Sequence, residues 1–234
     1  KAKQNIGVVP ETANAYVDLS AWQNMMLMSE LYGIPKKEAE NRVEILLNQL
    51  NLYDRRDGKV KGFSKGMKQR LILCMALVND PQIVFLDEPT SGLDVQSSLL
   101  IRDILQDFPD QNKTIFLTTH NMDEANHLCD RVAIINNGKI TAIDRPGNLK
   151  NMIKKLKSIE VSFNKTVNIK KLSTIPNVNE IRSEGDKFII GTDNINDLIY
   201  SVTNFAQNEN LKIIALNTRD PSLEEVFLEM TGET

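Results

Sequence analysis

The composition of this 234-residue chain is that of an ordinary globular protein, with 41% apolar and 25% charged residues. The length is sufficient for one large domain, or for a large domain and a small one. With 28 basic against 31 acidic residues and a net charge of -3, the chain lacks the basic excess typical of nucleic-acid-binding proteins, so we expect no nucleic-acid partner.

The two cysteines, Cys74 and Cys129, each lie among apolar residues in a stretch typical of a helix. This pattern favours buried thiols over a disulfide or a metal site, and it favours a reducing, cytoplasmic setting. No apolar run approaches the ~20 residues needed to cross a bilayer. Any membrane role is therefore expected to depend on a partner.

The start of the chain predicts a strand followed by a helical region. Ile6–Val9 is apolar and ends before Pro10. Apolar residues dominate positions 21–32, and after Pro35, a favourable first helical residue, they recur at helical spacing. We therefore predict a helical subdomain over about residues 20–80.

Three later apolar runs predict strands, at Ile83–Leu86, Thr114–Leu117 and Val132–Ile135. Each is apolar on successive residues, as strands buried in a parallel sheet are. Their alternation with helical segments indicates an α/β domain with a largely parallel sheet.

Beyond residue 157 the predicted order is strand, helix, strand, strand, helix, strand, which is the ferredoxin-like arrangement. We therefore predict two domains, an α/β domain of residues 1–157 and a small α+β domain of residues 158–234. A last helix is predicted with Asp220 as its N-cap and Pro221 as its first residue.

An acidic pair, Asp87 and Glu88, directly follows the strand predicted at 83–86. In open α/β folds, ligands bind at the carboxyl ends of parallel strands. In nucleoside-triphosphate hydrolysis, an aspartate at such a position holds Mg²⁺ and a neighbouring glutamate polarises the attacking water. Taken alone, the pair is equally consistent with a catalytic function and with an acidic turn that has none.

Further polar segments flank this strand. Residues 63–70, Phe-Ser-Lys-Gly-Met-Lys-Gln-Arg, form a small-residue loop that opens a helix, so free backbone N–H groups and the helix dipole can face an anion. Ser-Gly-Leu-Asp follows at 91–94, and His120 follows the next predicted strand.

These four segments, in this order, resemble the motifs of the nucleotide-binding subunits of ABC transporters. The signature loop corresponds to residues 64–69, the strand ending in Asp-Glu to 85–88, the Ser-Gly-Leu-Asp loop to 91–94 and the switch histidine to His120. The motifs cover about the first two-thirds of the chain, and as a set they are very specific. The resemblance implies a P-loop NTPase fold that uses ATP and Mg²⁺.

The resemblance also implies the partners and the roles of the residues. ABC subunits work as head-to-tail pairs beside a membrane-spanning subunit, at the inner face of the cell membrane, with each ATP between the phosphate loop of one copy and the signature loop of the other. Glu88 would be the general base, His120 a γ-phosphate sensor and Asp87 a magnesium ligand. The other residues implied in nucleotide binding are Ser64, Lys65, Gly66, Met67, Gln69 and Asp94, the last of which would span the pair interface.

Two positions depart from the family pattern. Lys65 stands where the signature commonly has a glycine, and its charge still favours phosphate. Glu11 stands where the family usually has a glutamine that contacts Mg²⁺. A carboxylate can also bind Mg²⁺, and the alternative is an exposed loop glutamate.

The phosphate-binding motif Gly-x-x-x-x-Gly-Lys-Ser/Thr does not occur in the 234 residues. The Gly-Lys pairs at 58–59 and 138–139 are followed by Val60 and Ile140, which carry no hydroxyl. We interpret the chain as a fragment that lacks the N-terminal strands and the phosphate loop, and we expect it to be inactive alone.

The small second domain and the ending at residues 223–228 resemble those of drug, lipid or polysaccharide exporters, so we expect an export subunit. Two alternatives remain: a soluble ABC-type ATPase, and a non-catalytic regulatory module. The helical subdomain is expected to receive the membrane subunit. Its candidate contact residues, for which core packing is an equal alternative, are Trp22, Met25, Met26 and Met28.

Overall fold

The computed structural model describes residues 2–12, 15–107, 113–152 and 157–232. It packs as two compact units, Lys1–Cys129 and Asp130–Thr234. The division falls before the domain boundary placed after residue 157, because the hairpin and helix of residues 132–152 pack in the second unit. The two-domain boundaries of the sequence analysis stay a prediction.

The first unit contains a parallel sheet in the order β1-β2-β3. Its strands are β1 (Ile6–Val9), β2 (Ile83–Asp87) and β3 (Thr114–Thr118). The register pairs Val9 with Leu86 and Leu86 with Leu117. The strands predicted at 6–9, 83–86 and 114–117 and their parallel arrangement are therefore confirmed.

The helices of the first unit surround a core of apolar side chains. They are α1 (Ala21–Leu31), α2 (Lys36–Gln49), α3 (Lys65–Leu77), α4 (Val95–Asp107) and α5 (Met122–Leu128), with short 3-10 turns at Ala2–Asn5, Tyr53–Arg55 and Val60–Gly62. Ser20 begins α1 through a capping box with Gln23. Pro35 is the N-cap of α2 and not its first residue.

The core of the first unit accounts for several predicted features. Met25 and Cys74 are fully buried in it, and Trp22 is half-buried against it. This supports core packing for Met25, whereas contact of the half-buried Trp22, Met26 and Met28 with a membrane subunit stays a prediction. Burial raises the pKa of the Cys74 thiol, while Cys129 is only half-buried.

The second unit begins with a hairpin, β4 (Val132–Asn136) and β5 (Lys139–Asp144), followed by α6 (Pro146–Met152). The prediction of a buried parallel strand at 132–135 is wrong in its pairing, because β4 pairs antiparallel with β5. Asn137 and Gly138 both have positive φ, as a two-residue hairpin turn requires. Within β4, Ile134 is buried and Ile135 is 63% exposed.

The remainder of the second unit confirms the ferredoxin-like prediction. An antiparallel sheet in the order β7-β8-β6-β9 covers a core that includes Ile159, Ile190 and Leu198. Its elements are β6 (Lys157–Phe163), α7 (Ile169–Leu172), β7 (Glu180–Glu184), β8 (Lys187–Thr192), α8 (Ile195–Asn208) and β9 (Ile213–Arg219).

The last helix, α9 (Leu223–Thr231), packs against α6. The predicted cap at Asp220 and first residue at Pro221 are wrong by two residues. Ser222 is the N-cap, because its hydroxyl accepts from the Glu225 backbone N–H at 3.1 Å while the Glu225 carboxylate accepts from Ser222 N–H. Among the described residues, no helix is long and apolar enough to span a bilayer.

Candidate functional site

The carboxyl ends of β2 and β3 bring the predicted catalytic residues together. Asp87 ends β2 and pairs in register with Thr118, which ends β3. The Thr118 hydroxyl donates to Oδ1 of Asp87, and the backbone N–H of Glu88 donates to the Thr118 carbonyl oxygen at 2.9 Å. The two strands are therefore still hydrogen-bonded to each other one residue past the end of β2.

Glu88 lies in a backbone conformation that is unusual for its residue type. Its φ of +48° is in the left-handed region, which L side chains other than Asn and Asp seldom adopt. Such conformations persist where the surroundings fix them, and they concentrate at functional sites. Here the fixing contact is the backbone hydrogen bond from Glu88 to Thr118.

One carboxylate oxygen of Glu88 is held twice by His120. The backbone N–H of His120 donates to Glu88 Oε1 at 2.9 Å, and His120 Nδ1 lies 2.8 Å from the same oxygen. The Glu88 side chain is 20% exposed and that of His120 is 80% exposed. The structure thus joins the two predicted catalytic residues at the end of adjacent strands, with the imidazole open to solvent.

Electrostatics favour the protonated form of His120. The hydrogen bond with Glu88 raises the pKa of His120, the charge of Glu88 adds to this, and Glu124 and Glu11 contribute further. The raised pKa makes His120 a cation that can face a phosphate over a wider pH range than an isolated imidazole.

The acidic residues at this edge suit Mg²⁺. Glu11 is exposed in the bend after β1, whose Val9 pairs with Leu86, so Glu11 lies at the same edge of the sheet as Asp87. Carboxylate oxygens are the ligands Mg²⁺ prefers, usually one or two of them with water and phosphate oxygens. The described residues contain no group of three or more side chains placed to hold a metal. Asp87 and Glu11 are the two carboxylates at this edge that would serve as such ligands, with phosphate and water supplying the others.

The signature loop forms the start of α3. Ser64 is the N-cap, and its hydroxyl accepts from the Met67 backbone N–H at 3.2 Å. Ser64 and Lys65 are exposed, whereas Gly66 is buried, so only the very start of the helix lies at the surface. Gln69, predicted to bind nucleotide with them, is only 5% exposed, and its amide nitrogen has no hydrogen-bond partner among the described residues.

Asp94 is the residue that begins α4. Its Oδ1 accepts from Ser97 N–H and its Oδ2 from the Ser97 hydroxyl, each at 2.9 Å, and these hydrogen bonds lower the pKa of Asp94. A Cβ on Gly66 would lie 2.2 Å from Ser97 Oγ. The starts of α3 and α4 are therefore in direct contact, and only a glycine fits at position 66.

The side chain of Lys65 reaches the loop of residues 91–94 in the same chain. Gly92 has a φ of +63°, and a Cβ there would lie 2.4 Å from Lys65 Nζ. Sequence reasoning assigned Lys65 to phosphate and missed this contact, because the two residues are far apart in sequence.

Sequence reasoning also missed Glu124 and Thr90. Glu124, in the first turn of α5, has no exposed surface, and its Oε1 accepts from the Thr90 hydroxyl at 2.9 Å. An acid in a first helical turn is ordinarily explained by the helix dipole, so the sequence offered no signal for its burial.

The fold and the site are those of a nucleotide-binding α/β protein, and comparison with known proteins identifies the family. Residues 1–91 match the ABC transporter family. A solved structure of an ATP binding subunit of an ABC transporter superposes with a TM-score of 0.58 at 27% sequence identity, covering 64% of this chain and 62% of that one.

Three curated relatives align with almost the whole chain. The linearmycin resistance ATP-binding protein LnrL of Bacillus subtilis is 30% identical, over 100% of this chain and 76% of its own length. The Nod factor export ATP-binding protein I of Rhizobium etli is 33% identical, over 99% and 71% respectively. A fluoroquinolones export ATP-binding protein of Mycobacterium tuberculosis is 33% identical, over 98% and 68%. The chain belongs to the ATP-binding proteins of ABC transporters.

Proposed function

We propose that this chain is the motor part of an ABC exporter, in which Glu88 is the general base for ATP hydrolysis. The observation that carries the proposal is the double contact of His120 N–H and Nδ1 with Glu88 Oε1 beside Asp87. With Oε1 held in this way, the carboxylate is oriented, and its other oxygen is the one that accepts a proton from water. A positioned general base contributes about 10²–10⁴-fold to a rate.

His120 has two roles in this proposal. It orients Glu88, and as a cation it stabilises the negative charge that develops on the γ-phosphate in the transition state. The raised pKa of His120 and its exposure support the second role. Mg²⁺, when bound, neutralises phosphate charge, and Asp87 and Glu11 are the residues that would hold it.

The start of α3 binds the γ-phosphate of an ATP held by a second subunit. Ser64, Lys65, Gly66 and Met67 offer a hydroxyl, backbone N–H groups, the positive end of the helix dipole and an ammonium group. Gln69 is buried below this loop, so its role in the proposal is to support α3 from inside. Two copies arranged head to tail complete each site, with Asp94 at their interface.

The 234 residues contain no phosphate-binding motif, so we propose that they hydrolyse no ATP by themselves. ATP binding and hydrolysis change the conformation of the pair, and a membrane-spanning subunit receives this change. Contact with that subunit places the protein at the inner face of the cell membrane. The relatives named for Nod factor and fluoroquinolones export support export as the direction. In a regulatory module the joined Glu88 and His120 would have no use, which disfavours that alternative.

The test is ATP hydrolysis by the protein expressed from its complete reading frame. Glu88→Gln should lower kcat by at least about 100-fold, because the amide cannot accept the proton, while Mg-ATP binding persists. Glu184→Gln, on an exposed strand end of the second unit, is the control and should retain the wild-type rate. A Glu88→Gln variant that hydrolyses ATP within a few-fold of wild type contradicts the proposal.

A further inference from the structure

Glu124 is the one fully buried carboxylate among the described residues. Burying an acidic group is unfavourable unless hydrogen bonds or charges compensate. Its Oε1 accepts from the Thr90 hydroxyl at 2.9 Å, but Oε2 has no hydrogen-bond partner in the described part of the chain. General packing does not explain an acid here, since an apolar side chain would fill the space without that penalty.

The contacts of Glu124 connect the two segments that carry the catalytic pair. Thr90 lies two residues after Glu88, in the turn where Ser91 N–H donates to the Glu88 carbonyl oxygen at 3.1 Å. The backbone N–H of Glu124 donates to Oδ1 of Asn121, the residue after His120, at 3.1 Å. Glu124 is therefore bonded to the loop that follows Glu88 and to the segment that contains His120.

The hydrogen bonds of Glu124 bear directly on the geometry of Glu88 and His120. His120 holds Glu88 Oε1 through its backbone N–H and its ring at the same time, so a shift of either segment breaks both contacts. The charge of Glu124 is also among the causes that raise the pKa of His120, after the hydrogen bond and the charge of Glu88.

We propose that Glu124 is a positioning residue for ATP hydrolysis, and that its buried hydrogen bond with Thr90 keeps the His120 segment in register with Glu88. This inference rests on the proposed function of the same site. Glu124 touches no reacting atom in this role; it acts through His120.

The experiment compares two substitutions of Thr90 in the protein from its complete reading frame. Thr90→Val keeps the shape and removes the hydroxyl that donates to Glu124, whereas Thr90→Ser keeps the donor. Because Thr90→Val leaves Oε1 of the buried Glu124 without its hydrogen-bond donor, it should lower kcat by about tenfold or more. The KM for ATP should change less than about twofold, since only the orientation of the base is lost. Thr90→Ser should restore most of the wild-type kcat.

A double-mutant cycle separates positioning from a general loss of structure. If Glu124 and Thr90 act through His120, Thr90→Val should have little further effect in a His120→Ala background, because the effects of residues that act as a unit are not additive. The NMR signals of the His120 ring should also move in the Thr90→Val variant of the otherwise wild-type protein, which is a readout that does not depend on turnover.

Three results overturn the proposal: wild-type kcat in Thr90→Val, no recovery in Thr90→Ser, or additive effects with His120→Ala. The Glu88→Gln variant tests the proposed function separately. If Glu88→Gln hydrolyses ATP normally, the proposed function fails whatever Thr90→Val does. If Glu88→Gln is inactive and Thr90→Val is normal, only the positioning role fails.

Discussion

The two larger sheets of the molecule differ in what their strand ends bring together. In the parallel sheet β1-β2-β3, all carboxyl ends meet at one edge, and that edge carries Glu11, Asp87 and Glu88 with His120. In the antiparallel sheet β7-β8-β6-β9, neighbouring strands end at opposite edges, so polar ends are divided between them. The parallel arrangement therefore collects reactive groups, and the antiparallel one does not.

The two sheets also differ in the kind of side chain that they expose. The parallel sheet presents Val8, Phe85 and Phe116 as exposed apolar side chains, although parallel sheets are ordinarily covered on both faces. On the antiparallel sheet, charged side chains pair across strands: Lys187 Nζ lies 3.0 Å from Glu160 Oε1, and this hydrogen bond lowers the pKa of Glu160. We expect substitutions in the apolar core of the second unit to lower stability without changing ATP hydrolysis, and substitutions of the polar residues at the carboxyl ends of the parallel strands to lower hydrolysis.

The largest expected effect is on the stability of the second unit. Leu198 is fully buried in α8, so Leu198→Ala should lower the free energy of unfolding by about 2–5 kcal/mol through lost burial and a residual cavity. Thermal or denaturant unfolding measures this, with Tyr200→Ala on the exposed side of the same helix as the matched control. If Leu198→Ala also changed the rate of ATP hydrolysis per folded molecule, the expectation that the second unit affects stability alone would be wrong.

The next effect separates the two histidines of the chain. His120→Ala removes the ring contact with Glu88 and the cation, whereas the backbone N–H contact with Glu88 Oε1 remains. We expect kcat to fall by about 100-fold, as when a donor to a transition-state anion is removed. His127, on α5, bonds the carbonyl oxygen of Asp123 in its own helix. His127→Ala is thus the matched control and should keep the wild-type rate; equal losses in both would contradict the assignment.

A smaller effect tests the contact between α3 and α4. Gly66→Ala places a methyl group 2.2 Å from Ser97 Oγ, and such overpacking should destabilise the protein by about 1–3 kcal/mol and lower hydrolysis. Gly147→Ala, also at the start of a helix, meets no atom within 4 Å and should be neutral or slightly stabilising. If Gly66→Ala has the melting temperature and the rate of ATP hydrolysis of the wild type, the starts of α3 and α4 are less tightly packed in solution than in the structure.

The smallest effect is a change in a pKa. The pair of protonated His120 with ionised Glu88 contributes stability below the unfolded pKa of the histidine, and this is lost as pH rises through the raised folded value. Glu88→Gln removes the negative charge and leaves the ring a weaker, neutral acceptor, so the pKa of His120 should fall. NMR titration of the ring measures it, and an unchanged pKa would show that Glu88 does not hold His120 in solution.

Much of the carboxyl edge of the parallel sheet was predictable because the strands of parallel sheets have a clear sequence pattern, although Phe85 and Phe116 are exposed where that pattern predicts burial. Continuous apolar runs located β2 and β3, and the polar residues directly after them had to converge once the strands were parallel. The ferredoxin-like order of the second unit was predictable for the same kind of reason, since alternation and helical spacing separate its strands from its helices.

The rest depended on long-range pairing that local patterns do not specify. The apolar run at 132–135 has no feature that chooses between a parallel and an antiparallel neighbour. Glu124 is buried by its contact with Thr90, which lies 34 residues earlier, and Lys65 meets Gly92 across a similar separation. At the last helix, Asp220, Pro221 and Ser222 are all acceptable start residues, and only the reciprocal bonds with Glu225 decide between them.

The most direct test of the central claim is a structure of the Glu88→Gln variant, from the complete reading frame, with Mg-ATP bound. We expect a head-to-tail pair in which the γ-phosphate lies against residues 64–67 of one copy and against position 88 and His120 of the other, with Mg²⁺ on Asp87. ATP bound away from Asp87, position 88 and His120 would contradict it.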